Sequence, residues 1–219
     1  MAEAMKQKLV EMLKGIERYN PENLSTLEKY VDIQVSENAY DLDANLAVLK
    51  LYQMNPQTYN KDVTCKILLK ALTNLPHTDF VLCKCLLNQR IMQDPDIQHI
   101  MDLSNLLEEC QFQIAWNHIS KMREWCGRIT GFNDSIRKFV CHVVGITFQT
   151  IAKSLLVELL GGKMQIDDNN LRQWIKKYGW KEESDGTIFI ANQDENIKTK
   201  NITEKIDFDS VGGLMAACL

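Results

Sequence analysis

Through the first 130 residues, apolar positions recur every three or four residues between short polar turns, the pattern of successive amphipathic helices. Met5, Leu9, Met12, Leu13 and Ile16 define the inward face of a first helix. Asn20-Pro21 supplies an N-cap and a proline at the first helical position for a second, with Leu24, Leu27, Val31 and Val35 inward. Asp41 opens a third with Leu42, Leu46 and Leu49 on one face. Asn55-Pro56 closes it, because a residue before proline resists helical dihedrals. Val63 to Leu72 makes a fourth, and Thr78 caps a fifth carrying Phe80, Cys83 and Leu87. Asp94-Pro95 starts a sixth with Ile97, Met101 and Leu107, and Phe112, Trp116, Ile119 and Met122 form a seventh.

The rhythm breaks from Arg128 to Asn133, which places the start of a second module near residue 131. Asp134 or Ser135 begins a helix with Ile136, Phe139, Val140 and Val143, ended by Gly145. Ile146 to Phe148 suits a short strand, and Ile151, Leu155, Leu156 and Leu159 continue as a helix up to Gly161-Gly162. After Asp167-Asp168, Leu171, Trp174, Ile175 and Tyr178 share one helical face, leaving Arg172, Gln173, Lys176 and Lys177 outward. Asp185-Gly186 between the runs 180–184 and 187–191 is a hairpin signal. Helix, helix, basic helix and hairpin is the order of a winged helix. In the tail, Phe208, Val211, Leu214 and Met215 recur at helical spacing, although Gly212-Gly213 weakens that helix by about 1 kcal/mol per glycine.

The fold class expected is therefore mainly α: a HEAT- or TPR-like helical repeat domain over residues 1–130, a winged-helix domain with a small antiparallel hairpin over 131–193, and a tail with a short helix over 194–219. No repeated motif letters mark the helical part, so a compact bundle is the alternative there.

Charge refines the picture little. Residues 1–130 carry 14 Lys and Arg against 17 Asp and Glu, and 131–219 carry 11 against 12, so neither module is a basic nucleic-acid domain. The apolar runs are too short to span a bilayer, which excludes a membrane role and leaves the cytoplasm as the simplest location, with a nuclear pool left open. Among the seven cysteines, Cys83, Cys85, Cys110, Cys126 and Cys141 fall inside apolar helical patterns and are expected to be reduced core thiols.

Candidate chemistry is thin. Cys83-x-Cys85 resembles half of a metal motif, yet helical residues two apart diverge by roughly 200°, and no second pair stands at a zinc interval. Cys141 and His142 are adjacent on a helix and cannot face each other as nucleophile and base. His77, His99 and His118 lie far apart in sequence and are assigned to the surface or to caps. Gly161-Gly162-Lys163 lacks the Walker spacing. No catalytic residue, cofactor or metal is expected. The outward Arg172, Lys176 and Lys177, with Lys181 behind them, are the one nucleic-acid candidate, but Asp167 and Asp168 at that helix's N-terminus repel phosphate. Sequence-specific DNA is disfavoured.

Several strings resemble the K-subunit family of eukaryotic translation initiation factor 3. They include Arg18-Tyr-Asn-Pro-Glu-Asn-Leu24, Ala44-Asn-Leu-Ala-Val-Leu-Lys-Leu-Tyr-Gln53 and the run from Leu68 to Phe80. In the back half, Cys141-His-Val-Val-Gly-Ile-Thr147, Lys177-Tyr-Gly-Trp180 and Glu204-Lys-Ile-Asp-Phe-Asp-Ser-Val211 match in order and spacing. The resemblance covers nearly the whole chain, loosening over 92–102, 161–170 and the last eight residues.

It implies the PCI arrangement, a HEAT-like domain followed by a winged helix. It also implies a non-catalytic subunit whose partners are the other factor subunits and, through the complex, the small ribosomal subunit. In related assemblies, winged-helix sheets of neighbouring subunits pair and C-terminal helices bundle. That makes Thr187, Ile188, Phe189 and Ile190 in the hairpin's second strand, and Phe208, Val211 and Met215 in the tail, candidate partner-binding residues. The strand 187–192 would offer an unpaired backbone edge. A winged-helix nucleic-acid regulator is the alternative, distinguished by a steep salt dependence of binding.

Overall fold

The structure, a computed structural model, describes residues 2–162, 166–193, 211, 215 and 216. The chain begins with α1 (Ala2–Met12), then a 3-10 turn at Gly15–Tyr19 and another at Pro21–Asn23 that runs into α2 (Leu24–Ser36). There follow α3 (Leu42–Met54), α4 (Lys61–Leu72), α5 (Asp79–Cys85), α6 (Gln89–Met92), α7 (Pro95–Glu108), α8 (Phe112–Lys121) and α9 (Arg123–Arg128). The second module comprises α10 (Phe132–Thr147), β1 (Thr150–Ala152), α11 (Lys153–Leu159), α12 (Asp168–Tyr178), β2 (Lys181–Glu182) and β3 (Thr187–Phe189). The architecture is mainly α, a HEAT-like stack followed by a winged helix with a small antiparallel sheet.

Local chemistry explains the helix starts. The side chains of Asp41, Asn60, Asn88, Asp94 and Asp167 each accept a backbone N–H from the first turn of the helix they precede. Asn20 caps the 3-10 turn by accepting Glu22 N, and Pro21 sits where its missing N–H is harmless. Thr78 makes no side-chain cap, contrary to the sequence expectation; its backbone is already turn-like (φ −81°, ψ 15°), not extended as capping geometry requires. The short helices α6 and α9 are not legible as periodic segments because each is barely a turn or two long.

The centre of the stack is α4, on which Ile67, Leu68, Leu69 and Ala71 are fully buried. Gln34, buried in α2, is satisfied on both ends of its amide: its Nε2 donates to Asn45 Oδ1 at 2.9 Å and its Oε1 accepts Asp41 N at 2.9 Å. This network fixes the α2–α3 hairpin without leaving a polar group unpaired. One inward assignment fails and one holds in part. Ile16 is 87% exposed because the first helix stops at Met12 and the 3-10 turn rotates it out; of the α3 face, Leu49 is fully buried, while Leu42 and Leu46 pack against the core but stay half-buried, with Ala44, Ala47, Val48 and Leu51 completing the buried side.

The two modules share one continuous core. Trp116 Nε1 on α8 donates to Leu159 O at 2.8 Å, and Phe112 meets Phe139 of α10 edge-on at 6.0 Å. At the junction Thr130 N donates to Val35 O at 3.2 Å, and Gly131 adopts φ +74° against the Asn38 side chain. There a Cβ would approach Asn38 Nδ2 to 2.8 Å and push that side chain aside, so glycine is favoured by the positive φ first and by the contact second.

Three details of the winged helix, and two cysteines of the helical stack, differ from the sequence reading. α10 begins at Phe132 and continues past Gly145 to Thr147, since a glycine with ordinary helical dihedrals weakens a helix without ending it. The strand is Thr150–Ala152, not 146–148, and Ile151 is a strand residue whose side chain is buried in the sheet. Leu155, expected inward, is 37% exposed. Cys85 and Cys110 are exposed, unlike Cys65, Cys83, Cys126 and Cys141, whose burial pushes their thiols up to about 11 or 12. Cys85 sits two residues from buried Cys83, on the opposite side of α5, and Cys110 lies just past α7 with φ +58°.

Candidate functional site

The sheet order is β1-β3-β2, so the strand expected to offer an edge is the central one. β3 pairs antiparallel with β1 through Ile151↔Ile188 and with β2 through Glu182↔Ile188. Antiparallel residues alternate between bonding to one neighbour and to the other. Ile190 N donates to Gln149 O at 2.8 Å and Lys153 N to Gly186 O at 3.2 Å, which puts Ile188 and Ile190 on the β1 side. Glu183 N donates to Thr187 O at 2.9 Å, which puts Thr187 and Phe189 on the β2 side. Both sides of β3 are therefore occupied within the chain, and the unpaired edge expected at 187–192 is absent there. Ile188 is fully buried and Ile190 7% exposed, whereas Thr187 and Phe189 are half-buried.

The open edges belong to β1 and β2. By the same alternation, Gln149, Ile151 and Lys153 bond inward, so the backbone N–H and C=O of Thr150 and the N–H of Ala152 point outward. Thr150 and Ala152 are exposed, and exposed Ile146 and Leu155 flank them. The β2 edge is two residues long and charged, with Glu182 tied to Lys153 at 2.6 Å, a pairing that holds the Glu182 carboxyl below its ordinary range. Short, charged edges resist pairing, and β1 is the more receptive edge. Sequence reasoning misses β1 because a three-residue strand between two helices has no period to detect.

On α12, Leu171 and Ile175 are buried and Arg172, Gln173, Lys176 and Lys177 are exposed, as the periodicity indicates. Trp174 is half-buried and Tyr178 37% exposed; they stack with Trp180 in a ladder with ring centroids 6.2 and 5.2 Å apart. The basic set is not a clean cationic face: Lys177 Nζ lies 4.7 Å over Trp174, Asp167 caps the helix, and Arg172 acts on Glu182. A cavity of about 340 Å³ between α10 and α12 is lined by Asp134, Arg137, Asn170, Gln173, Trp174 and Lys177. Its Arg137 is already committed to Asp134 at 3.0 Å and to Leu160 O at 3.2 Å.

Of the tail residues, Phe208 lies outside the described residues; Val211 and Met215 are helical, the first half-buried and the second 66% exposed. His99 and His118, far apart in sequence, are neighbours: their rings lie 5.6 Å apart and His118 Nε2 is 2.9 Å from His99 O. Among the described residues no three His, Cys, Asp or Glu side chains gather as a metal ion would need, and no helix is long and apolar enough to cross a membrane. Cys141 is buried while His142 is exposed, so the pair is split between core and solvent.

The comparison with known proteins is consistent along the chain. The model of the CSN8/PSMD8/EIF3K family matches residues 58–201. A Bombyx mori protein named eukaryotic translation initiation factor 3 subunit K is 62% identical over 216 residues, covering 99% of this chain and 97% of its own length. Proteins of the same name from Xenopus laevis and Homo sapiens are 56% and 55% identical, covering 98% and 99% of this chain and 97% and 98% of theirs.

Proposed function

The chain belongs to the CSN8/PSMD8/EIF3K family, and from that premise we propose that it is a non-catalytic subunit of the translation initiation factor 3 complex, acting in the cytoplasm. The observation that carries the assignment is the end-to-end similarity to proteins of that name, which spans both modules. On this reading residues 1–130 are the helical domain, 131–193 the winged helix that docks the subunit, and 194–219 a tail that adds to the docking. The other factor subunits are the direct partners, and the small ribosomal subunit is reached through them.

Docking runs through the sheet. A neighbouring strand adds to the outward backbone groups of Thr150 and Ala152, with Ile146 and Leu155 covered beside it. Thr187, Ile188, Phe189 and Ile190 support this edge from behind, and Val211 and Met215, with Phe208, contribute the tail contact. Thr150→Pro removes an outward donor and spares the β1–β3 ladder, whereas Ile190→Pro removes the internal bond to Gln149 O. Co-purification of the tagged chain with the factor subunits is expected to fall with Thr150→Pro while helical circular dichroism is unchanged. Full recovery with Thr150→Pro and with Ala152→Glu counts against edge docking, and absence of any factor subunit from the wild-type preparation counts against membership.

A further inference from the structure

Three exposed apolar residues of the helical domain, Ile16, Tyr19 and Leu82, stand on elements that also carry the half-buried Leu42, Leu46 and Leu86. In a 3-10 turn residues three apart eclipse, so Ile16 (87% exposed) stands in line with Tyr19 (42% exposed). On α3, Leu42, Leu46 and Lys50 are spaced by four and form one stripe, and Leu82 (45% exposed) and Leu86 form another at the end of α5. The three ridges converge: Arg18, Tyr19, Leu46, Ala47, Lys50 and Leu86 line a cavity of about 160 Å³ with α3 as its floor. That volume is below the ~300 Å³ of small-molecule sites and suits one large apolar side chain.

The stripe also accounts for the half-burial of Leu42 and Leu46. α3 buries Ala44, Ala47, Val48, Leu49 and Leu51, and Leu42 and Leu46 at the margin of that face pack against the core while leaving part of their side chains open. Apolar surface left open at the margin of a buried face is a place to be covered by a partner. The charge of the groove says by what. Its lining holds two cations and no carboxylate, and neither Arg18 nor Lys50 makes a salt bridge among the described residues; Arg18 rests 5.8 Å over the Tyr19 ring.

We propose that the groove between the 15–19 turn, α3 and the end of α5 is a second docking surface, occupied by an acidic amphipathic helix of another protein subunit. One apolar side chain of that helix enters the cavity over Ala47, its apolar face covers Leu46, Leu82 and Tyr19, and its carboxylates meet Arg18 and Lys50. This surface lies in the helical domain and is independent of the β1 edge.

The test uses the full chain within the purified multisubunit complex that it enters. A photo-crosslinking residue at Leu82 should attach to a helical segment of a different subunit with acidic residues flanking an apolar stripe, and the product should be lost in the Arg18→Glu, Lys50→Glu background. The same residue placed at Leu155 monitors the β1 edge and should be unaffected by that background. A synthetic peptide of the crosslinked segment should bind the isolated chain at least tenfold more weakly after Arg18→Glu, Lys50→Glu. Leu46→Ser, in a variant whose helical circular dichroism matches the wild type, should reduce binding in the same direction. Crosslinking at Leu155 but not at Leu82, a non-acidic crosslinked segment, attachment to a second copy of this chain, or peptide affinity indifferent to the reversal each overturns the proposal.

Discussion

Helices α4 and α12 show how differently the two modules are built. Nine of the twelve residues of α4 are buried against two of eleven in α12, so α4 is the pillar of a stack and α12 a cover laid over a small sheet. α4 even buries a lysine: Lys70 is 1% exposed, and the only hydrogen-bond partner of its ammonium among the described residues is Asn38 Oδ1 at 3.3 Å. Burial alone lowers its ammonium to about 8. The densely packed region buries most of its side chains, while the sparsely packed one leaves backbone edges and side chains exposed.

The largest effect should come from Leu68→Ala, which removes a fully buried side chain at the centre of the stack and should cost about 3 kcal/mol in urea denaturation. Because the core is continuous, the loss should appear in one cooperative transition. A second, unshifted transition from the winged helix would show that the two modules fold independently.

Lys70→Met sharpens the contrast through pH. The folded pKa near 8 lies below the ordinary 10.5, so the buried charge penalises folding fully below pH 8 and the penalty fades as pH rises to 10.5. At neutral pH the methionine variant should be more stable than the wild type by up to roughly 3 kcal/mol, a tenfold change in proton affinity being worth about 1.4 kcal/mol. That gap should close by pH 10.5. The buried thiols of Cys65, Cys83, Cys126 and Cys141 act oppositely above pH 9, but equally in both proteins, so only the difference between the two curves is diagnostic. A gap independent of pH would refute the buried charge.

Two glycines of the second module should respond with opposite signs. Gly131→Ala meets a positive φ and the Asn38 side chain and should destabilise by about 1–2 kcal/mol, loosening the junction. Gly145→Ala, in helical backbone with open space around its Cβ position, should stabilise by about 0.5–1 kcal/mol. Smallest of all should be the charge reversal Arg172→Glu, Lys176→Glu, Lys177→Glu: less than about 0.5 kcal/mol per exposed position, with duplex DNA binding weak before and after. Tight, salt-sensitive binding of one DNA sequence by the wild type would instead favour a nucleic-acid regulator.

Taken alone, the sequence determined the helices with strong local signals. Asp41, Asn60, Asp94-Pro95 and Asp167 cap at or within a few residues of the starts that periodicity indicates, and the turn at Asp185-Gly186 lies between β2 and β3, because caps and turns are chemistry within three or four residues. The resemblance to its family is legible for the same reason, being carried by contiguous strings. Tertiary structure decided what depends on distant partners. Only pairing across nearly forty residues of chain could make Thr150–Ala152 a strand and put β3 in the middle of the sheet, moving the open edge from 187–192 to β1. Only the neighbours of α3 could decide that Leu49 is fully buried while Leu42 and Leu46 on the same stripe are half-covered, since periodicity reports that a face is apolar and never what covers it.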